Sequence, residues 1–280
     1  MKVRFSSKIP LCLLSAGLIL SAAPSLLAQQ QPGEEHGPSN YIFLSNVDLK
    51  PNQNDAYAKI ESDEVQALRA ANAPGHYLGM WAITGPNHAI VMSGFDSFAE
   101  AQKNHETVWG NPKLASALNA DNASEAPLIS ETHNSIYSYE KDLSLNPDLD
   151  LSKQRFMRII LFHIRSGKDQ DWEHTVKLFI KAYSSIPEAH WAMFEKMYGV
   201  GSDNTYILVT PMDSLSVVDA MHENGKKFDA SVGEDQLQML RNGLSATVES
   251  SESDLFVLSP QLSYVPDSWI SASPDFWGKK

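Results

Sequence analysis

Cysteine is nearly absent from this sequence. The 280 residues contain one cysteine, Cys12, which lies in the apolar segment that opens the chain. A protein that loses this segment has no disulfide, no thiol nucleophile and no thiolate metal site. Its stability must then come from the packed core alone.

Positive charge is also scarce. Lysine and arginine together number 22 against 34 acidic residues, which gives a formal net charge of −12. An acidic surface repels nucleic acid and anionic lipid headgroups. We therefore expect neither nucleic acid nor, once a signal peptide is cleaved, a membrane among the partners.

Several catalytic signatures are missing as well. The His-Glu dipeptides at His105 and His222 do not continue to a second histidine, as the zinc-protease motif His-Glu-x-x-His does. Adjacent helical residues do not face each other, so neither dipeptide can hold one metal ion between its side chains. No glycine-rich phosphate loop, Ser-His-Asp order or carboxylate cluster stands out, and we predict no metal site.

The first residues have the pattern of a secretory signal peptide. Three basic residues precede an apolar run and a small-residue exit that ends at Ala28. We expect residues 1–28 to be this signal and residues 29–40 to be a flexible tether. An uncleaved membrane anchor is the alternative, which Pro24 and the short run disfavour. The predicted location is secreted or periplasmic.

Four segments of the first half recur in the same order in the second half. The length changes between the copies fall in turns or at helix ends. Such a repeat indicates a tandem duplication and has to be recognised before the fold is assigned. The paired segments are 41–57 with 158–172, 73–85 with 187–199, 89–106 with 206–223, and 136–147 with 255–266.

Each half has the pattern strand, helix, strand, strand, helix, strand. The first helix is predicted over about 54–71 and its equivalent over about 169–184, because apolar residues recur there at three- and four-residue steps. Ser97 and Ser214 open the second helices with oxygens that can cap backbone amides, and Ser97 has Glu100 at capping-box spacing. This β-α-β-β-α-β order is that of a ferredoxin-like unit.

The predicted class is therefore α+β. A four-stranded sheet with both helices on one face leaves its other face bare, and two such sheets can cover each other. We predict two tandem ferredoxin-like units, 41–147 and 155–270, that form a barrel within one chain, with the helices outside. Residues 148–154 are the expected linker and 271–280 the expected tail. The sequence does not decide whether the protein forms a homo-oligomer, because the duplication already supplies both paired sheets within one chain.

The residues that carry these patterns resemble the dimeric α/β-barrel superfamily and, within it, the NIPSNAP-like branch. In the first half they are VDLKPNQNDAY, GHYLGMWAITGPNHAIVMSGFDSFAEAQ and NPKL, and in the second half HIRSGKDQDWEH and YILVTPMDSLSVVDA. The resemblance covers nearly the whole mature chain. The superfamily includes haem-degrading and quinone-forming monooxygenases, relatives of haem peroxidases and small binding domains, so the resemblance alone does not choose a function.

The haem-degrading branch uses three residues: an asparagine on the first strand, a tryptophan at the end of the third strand and a histidine on the second helix. The third strands here end in MSG (92–94) and VTP (209–211), without tryptophan. Asn46 is near the first-strand position, where the alignment places Ser45. The resemblance therefore disfavours haem degradation, although haem remains a candidate cofactor.

Histidines at matched positions are the first candidate ligand-binding residues. His105 and His222 occupy the helical stripe expected to face the sheet, as haem ligands or acid/base groups, or else as last-turn residues bonded to free carbonyls. His76 and His190 begin the second strands, at a barrel end or in an exposed turn. His163, on an apolar strand, is a core residue or marks a specialised pocket in the second half.

Aromatic residues are the second group of candidates. Trp81, Trp172 and Trp191 would line an apolar ligand pocket, with core packing as the alternative. The leading interpretation is a secreted or periplasmic protein that binds a small apolar molecule between sheet and helices. The alternatives are a monooxygenase-type oxidoreductase, with haem held by one of the histidines, and a non-catalytic structural or partner-binding module.

Overall fold

Eight antiparallel strands close into one barrel in the part of the chain that the structure describes. This structure is a computed structural model that describes residues 37–186, 188–201 and 204–279. The predicted signal peptide, 1–28, and most of the predicted tether lie outside these residues. The strands are β1 Tyr41–Leu49, β2 Leu78–Ala82, β3 His88–Phe95, β4 Ile129–Tyr139, β5 Phe156–Ile164, β6 Ala192–Gly199, β7 Thr205–Met212 and β8 Val248–Leu258.

The strand order around the barrel is β1-β3-β2-β8-β5-β7-β6-β4. Each half therefore contributes four neighbouring strands. The pairs β2 with β8 and β4 with β6 join the two halves. The predicted α+β class and the predicted barrel are confirmed.

Helices cover the outer face of the sheet. Between the second helix and the last strand of each half lies a further helix that the sequence pattern missed. None of the helices in the described residues is long and apolar enough to cross a membrane. The helices are α1 Asn54–Ala70, α2 Phe98–Trp109, α3 Pro112–Glu125, α4 Asp169–Tyr183, α5 Ser216–Val232, α6 Glu234–Thr247, α7 Asp267–Ala272 and α8 Pro274–Trp277.

Strand β1 illustrates how the sequence supplies two cores. Successive side chains of a strand point to opposite faces of the sheet. Ile42 and Leu44 pack inside the barrel. Val47 and Leu49 pack outside it, against Tyr57 of α1. At β1, both faces of the sheet thus pack in a core, one inside the barrel and one under a helix.

One of the two predicted helix caps forms. The backbone N–H of Glu100 donates to Ser97 Oγ at 3.1 Å, and the Glu100 carboxylate accepts from the N–H of Asp96 at 2.9 Å. Helix α5 instead begins at Ser216 without a side-chain cap. The hydroxyl of Ser214 is bonded to a neighbouring carboxylate and hydroxyl, so it is not available to the helix.

Within the segment expected to be a tail, Pro274–Trp277 form α8, which follows α7 directly. Trp277 is 4% exposed and packs in the same hydrophobic cluster as the barrel interior. Its Nε1 donates to the carbonyl oxygen of Ser152 at 2.7 Å. The guanidinium of Arg155 lies 4.1 Å from the ring centre of Phe276. The C-terminal helices and the expected linker, 148–154, therefore hold each other in place.

Two carboxyl groups are buried between the helices and the sheet of the first half. They belong to Glu61 of α1 and Glu125 at the end of α3. Burial, and then repulsion from Glu125 and Glu64, raises the pKa of Glu61 well above its ordinary value. Burial and the same acidic neighbours also raise the pKa of Tyr57 and Tyr77. Glu61 therefore keeps its proton to a higher pH than an exposed glutamate does.

Removing the Trp277 side chain should destabilise the barrel. Trp277→Ala is expected to lower the free energy of unfolding by about 3–5 kcal/mol, because it leaves a cavity and removes the donor to Ser152. Trp109→Ala is the matched control, since Trp109 is 37% exposed; its effect should stay below about 1 kcal/mol. Urea denaturation followed by circular dichroism measures both. Equal losses would contradict the packing of the C-terminal helices.

Replacing Glu61 by glutamine should flatten the dependence of stability on pH. Because the folded-state pKa of Glu61 is raised, the folded chain binds more protons than the unfolded chain once the pH exceeds 4.5. Stability therefore falls as pH rises toward the folded pKa. Glu61→Gln should be more stable than the wild type at high pH. Denaturation midpoints measured between about pH 5 and about pH 9 test this. The exposed Glu249→Gln is the control, and its midpoint should change with pH as in the wild type. The same pH dependence in Glu61→Gln as in the wild type would refute the assignment.

Candidate functional site

A cavity of about 420 Å³ lies between the sheet and the helices of the second half. Strands β5, β6 and β7 form one wall, and α4, α5 and α6 form the other. Aromatic and aliphatic side chains make up most of the lining. It includes Arg158, Ile160 and Phe162 from β5, Trp172, Val176, Phe179 and Tyr183 from α4, and Val217, Ala220 and Met221 from α5.

The sequences of α4 and β5 explain these two walls. The four cavity residues of α4 recur at steps of four, three and four residues, so they form one stripe along the helix. Alternate residues of β5 face opposite sides of the sheet. Met157 and Ile159 pack inside the barrel, whereas Ile160 and Phe162 line the cavity. The cavity lies where the stripe and the outer strand face meet.

The corresponding positions of the first half carry acids. The eighth residue of α4 is Val176, and the eighth residue of α1 is Glu61. The eleventh residues are Phe179 and Glu64, respectively. The second half therefore has apolar side chains where the first half has carboxyl groups. This difference makes the second-half cavity suitable for an apolar molecule.

Arg158 is the cationic residue of the cavity lining. Its Nε donates to Ser253 Oγ at 3.2 Å, and its Nη1 lies 3.9 Å from Met221 Sδ. Burial lowers the pKa of Arg158 from its ordinary value, with the nearby Tyr183 acting in the opposite direction. An arginine nevertheless stays charged in proteins. Among the described residues, no carboxylate forms an ion pair with it.

Trp172 brings a buried donor to the same cavity. Its side chain is 1% exposed, and its ring centre lies 5.0 Å from that of Phe162 and 5.8 Å from that of Tyr206. Within the described part of the chain, the indole Nε1 has no hydrogen-bond partner. A buried N–H without an acceptor is unfavourable.

Three of the candidate residues meet at this cavity: Trp172, His190 and Trp191. His190 has both ring nitrogens in contact with backbone carbonyls, Nδ1 with that of Glu188 and Nε2 with that of Pro211, each at 2.8 Å. Neither nitrogen is therefore available to bind a metal or a haem iron. Trp191 donates from Nε1 to the carbonyl of Leu143 at 2.9 Å, which fixes its ring.

His222 does not face the sheet as expected. It is exposed on α5, and the neighbouring Met221 lines the cavity in its place together with Val217 and Ala220. Neighbouring residues on a helix point about 100° apart, so a one-residue error in phase moves a side chain off the buried stripe. Leu215, which lies seven residues before His222 and so on the same side of the helix, is exposed as well.

The other candidates lie elsewhere, outside this cavity lining. His105, half-buried on α2, has its ring centre 6.1 Å from that of Trp109. The Nδ1 of His163 lies 3.3 Å from a threonine hydroxyl on the neighbouring strand β7. The ring centre of the exposed His76 lies 4.8 Å from that of a tyrosine, and Trp81 packs edge-on against Tyr57 at 6.0 Å.

A separate polar cluster lies on β1 and β4. One ligand atom from each of Asp48, Glu131 and His133 lies within 4.8 Å of the others. Asp48 and Glu131 are direct cross-strand neighbours, and His133 Nε2 is 3.4 Å from Glu131 Oε1. Like charges opposite each other in a sheet are unfavourable, and the two carboxylates stand at such positions. Cross-strand pairing thus accounts for the cluster.

Arg158 and Met221 were not among the residues predicted from the sequence. Arg158 is the one arginine in an otherwise apolar strand, FMRIILFHI, and this placement was the available signal. Met221 follows Val217 at a four-residue step, which continues the buried stripe of α5. Arg158 lies on the sheet wall of the cavity, and Met221 lies on the helix wall, which also contains Trp172.

No family model matches the chain, and no curated protein shows significant similarity to it. Solved structures do share its fold. A proposed monooxygenase from Lactobacillus acidophilus covers 79% of this chain and 94% of its own length, with a TM-score of 0.51 and 9% identity.

Two further solved structures share the fold of this chain. A proposed monooxygenase from Fusobacterium nucleatum covers 79% of this chain and 93% of its own, with a TM-score of 0.52 and 9% identity. An anthrone oxidase-like protein covers 78% and 90%, with a TM-score of 0.50 and 8% identity. Such low identities show the fold alone. The chain thus has the dimeric α/β-barrel fold that its sequence pattern predicted.

Proposed function

We propose that the second half binds a small, largely apolar molecule in the cavity between its sheet and its helices. The observation that carries the proposal is the cavity itself, about 420 Å³ and lined mainly by aromatic and aliphatic side chains. Binding sites for small molecules are typically about 300–1,000 Å³, with a few placed polar groups. Arg158 and Trp172 are such groups. If side chains had filled the space between this sheet and its helices, a purely structural module would have been favoured instead.

We further propose that the halves arose by tandem duplication of a ferredoxin-like unit of the NIPSNAP-like branch. The element order supports this, as does the constant offset of 115 residues between the starts of β1 and β5 and of α1 and α4. The signal-like first residues support a secreted or periplasmic location. The closed barrel needs no second copy, so a homo-oligomer would use another surface.

A monooxygenase-type oxidoreductase is the second candidate. The names of structures with this fold favour it: two proposed monooxygenases and an anthrone oxidase-like protein. In such a reaction the cavity would hold an apolar substrate away from water. His190 cannot supply an imidazole ligand, since both of its nitrogens contact carbonyls. The cavity therefore does not fit an imidazole-ligated haem, and we assign no step to haem.

Binding of a neutral apolar probe tests the proposal. N-phenyl-1-naphthylamine, whose fluorescence rises in apolar surroundings, should bind the wild type saturably. Val217→Phe should weaken binding about tenfold or more, because the larger side chain fills cavity space. Val218→Phe is the matched control, since Val218 is the adjacent residue and does not line the cavity; it should change the affinity less than about twofold. The proposal fails if the wild type does not bind or if both variants lose binding equally.

Titration with haemin tests the alternative. We expect no shift of the Soret band that depends on a histidine, because the one imidazole of the described cavity lining has both nitrogens occupied. His190→Ala, His222→Ala and His163→Ala should therefore behave like the wild type. A Soret shift that one of these variants abolishes would overturn this expectation and restore a haem-dependent function.

A further inference from the structure

We propose that the molecule bound in the second-half cavity carries an acidic group and that Arg158 binds this group. The ligand class is a small apolar anion, such as an aromatic carboxylate or an ionised phenol. This inference rests on the proposed function and adds the charge of the ligand. It is carried by the surroundings of two cavity residues, Arg158 and Trp172.

Among the described residues, no carboxylate pairs with Arg158, although the protein is acidic. The chain has 34 acidic residues for 22 basic ones. Two other arginines have acidic neighbours, since Arg69 contacts Asp267 at 3.2 Å and Arg241 contacts Asp229 at 3.9 Å, whereas Arg155 bonds two carbonyls and a hydroxyl. The partners of Arg158 in the described structure are a hydroxyl and a thioether. A partly buried cation without a counter-ion is unfavourable. An anionic ligand would supply the missing charge.

The geometry of guanidinium suits this role. Its planar N–H groups match the two oxygens of a carboxylate and form charge-assisted hydrogen bonds with them. Nε and one Nη of Arg158 already contact Ser253 and Met221, which hold the group against the cavity wall. The other Nη has no hydrogen bond within the described residues. The group is thus positioned before a ligand arrives, which reduces the entropy lost on binding.

Among the described residues, the lining residue Trp172 contains a second unpaired donor, which is fully buried. The indole N–H of Trp172 lacks an acceptor in the described structure, and Trp172 packs against Phe162. Phe162 lies four residues beyond Arg158 on the same face of β5, about 13 Å along the strand. A ligand with an acidic group near Arg158 and an apolar body over Ile160 and Phe162 would follow this face of the strand.

One acid also borders the cavity and opposes an anion. Glu188 lines it from the loop before β6, and its side chain is exposed. Water and salt screen an exposed charge strongly, whereas a partly buried charge is screened much less. Arg158 is half-buried, so its attraction for an anion inside the cavity outweighs the repulsion from Glu188.

A pair of probes that differ by one acidic group provides the test. 8-Anilinonaphthalene-1-sulfonate and N-phenyl-1-naphthylamine share the same aromatic frame, but only the first carries a sulfonate. Fluorescence titration at fixed salt should give tighter binding of the sulfonate to the wild type. Arg158→Met should weaken sulfonate binding about tenfold or more and change binding of the neutral probe less than about twofold. Arg165→Met, an exposed arginine at the end of β5, should leave both affinities unchanged.

The outcomes separate this inference from the proposed function. If the neutral probe binds but the sulfonate is not preferred, or the preference survives Arg158→Met, the ligand is not an anion held by Arg158. If the neutral probe does not bind the wild type, the proposed function itself fails. Arg158→Gln decides the question should the methionine variant fail to fold, and Arg158→Lys should retain part of the preference because it keeps the charge. An equal loss of sulfonate binding in Arg158→Lys and Arg158→Gln would contradict the role of charge.

Discussion

Closure of the sheet is the constraint on which the rest of the structure depends. The pairs β2 with β8 and β4 with β6 join two sets of four strands, so the described sheet has no free edge. One face of each strand then points into the barrel, and helices cover much of the other face. Outside the barrel core, a cavity can form where the helix layer does not fully fill the outer face.

The two halves meet this requirement differently. In the first half, carboxyl and tyrosine groups of α1, β2 and α3 occupy the space under the helices. In the second half, shorter or apolar side chains at the same helix positions leave a cavity beside Arg158 and Trp172. An architecture repeated twice thus has buried acidic and tyrosine groups under the helices of one half and a cavity under those of the other. Glu61 and Val176 illustrate this difference between the halves, since each is the eighth residue of its helix, α1 or α4.

Local signals in the sequence predicted most of the fold. The starts of α1 and α4, the cap at Ser97 and the barrel follow from hydrophobic period, capping chemistry and the repeat. Burial of Trp277 was not predictable in this way, because the carbonyl that accepts its hydrogen bond belongs to Ser152, 125 residues earlier in the chain. The phase of α5 was missed because it depends on a start at Ser216 rather than at Ser214. The site was predicted only in part, since Trp172, His190 and Trp191 line it but the cation, Arg158, went unrecognised.

The central claim is that the second-half cavity, and not the first half, receives an apolar ligand. Nuclear magnetic resonance with methyl-labelled protein measures this directly through nuclear Overhauser effects from bound N-phenyl-1-naphthylamine. The account predicts contacts to the methyl groups of Ile160, Val176 and Leu208, which line the cavity. Contacts to Val65 and Leu118 in the first-half core, or none to the cavity, would contradict it.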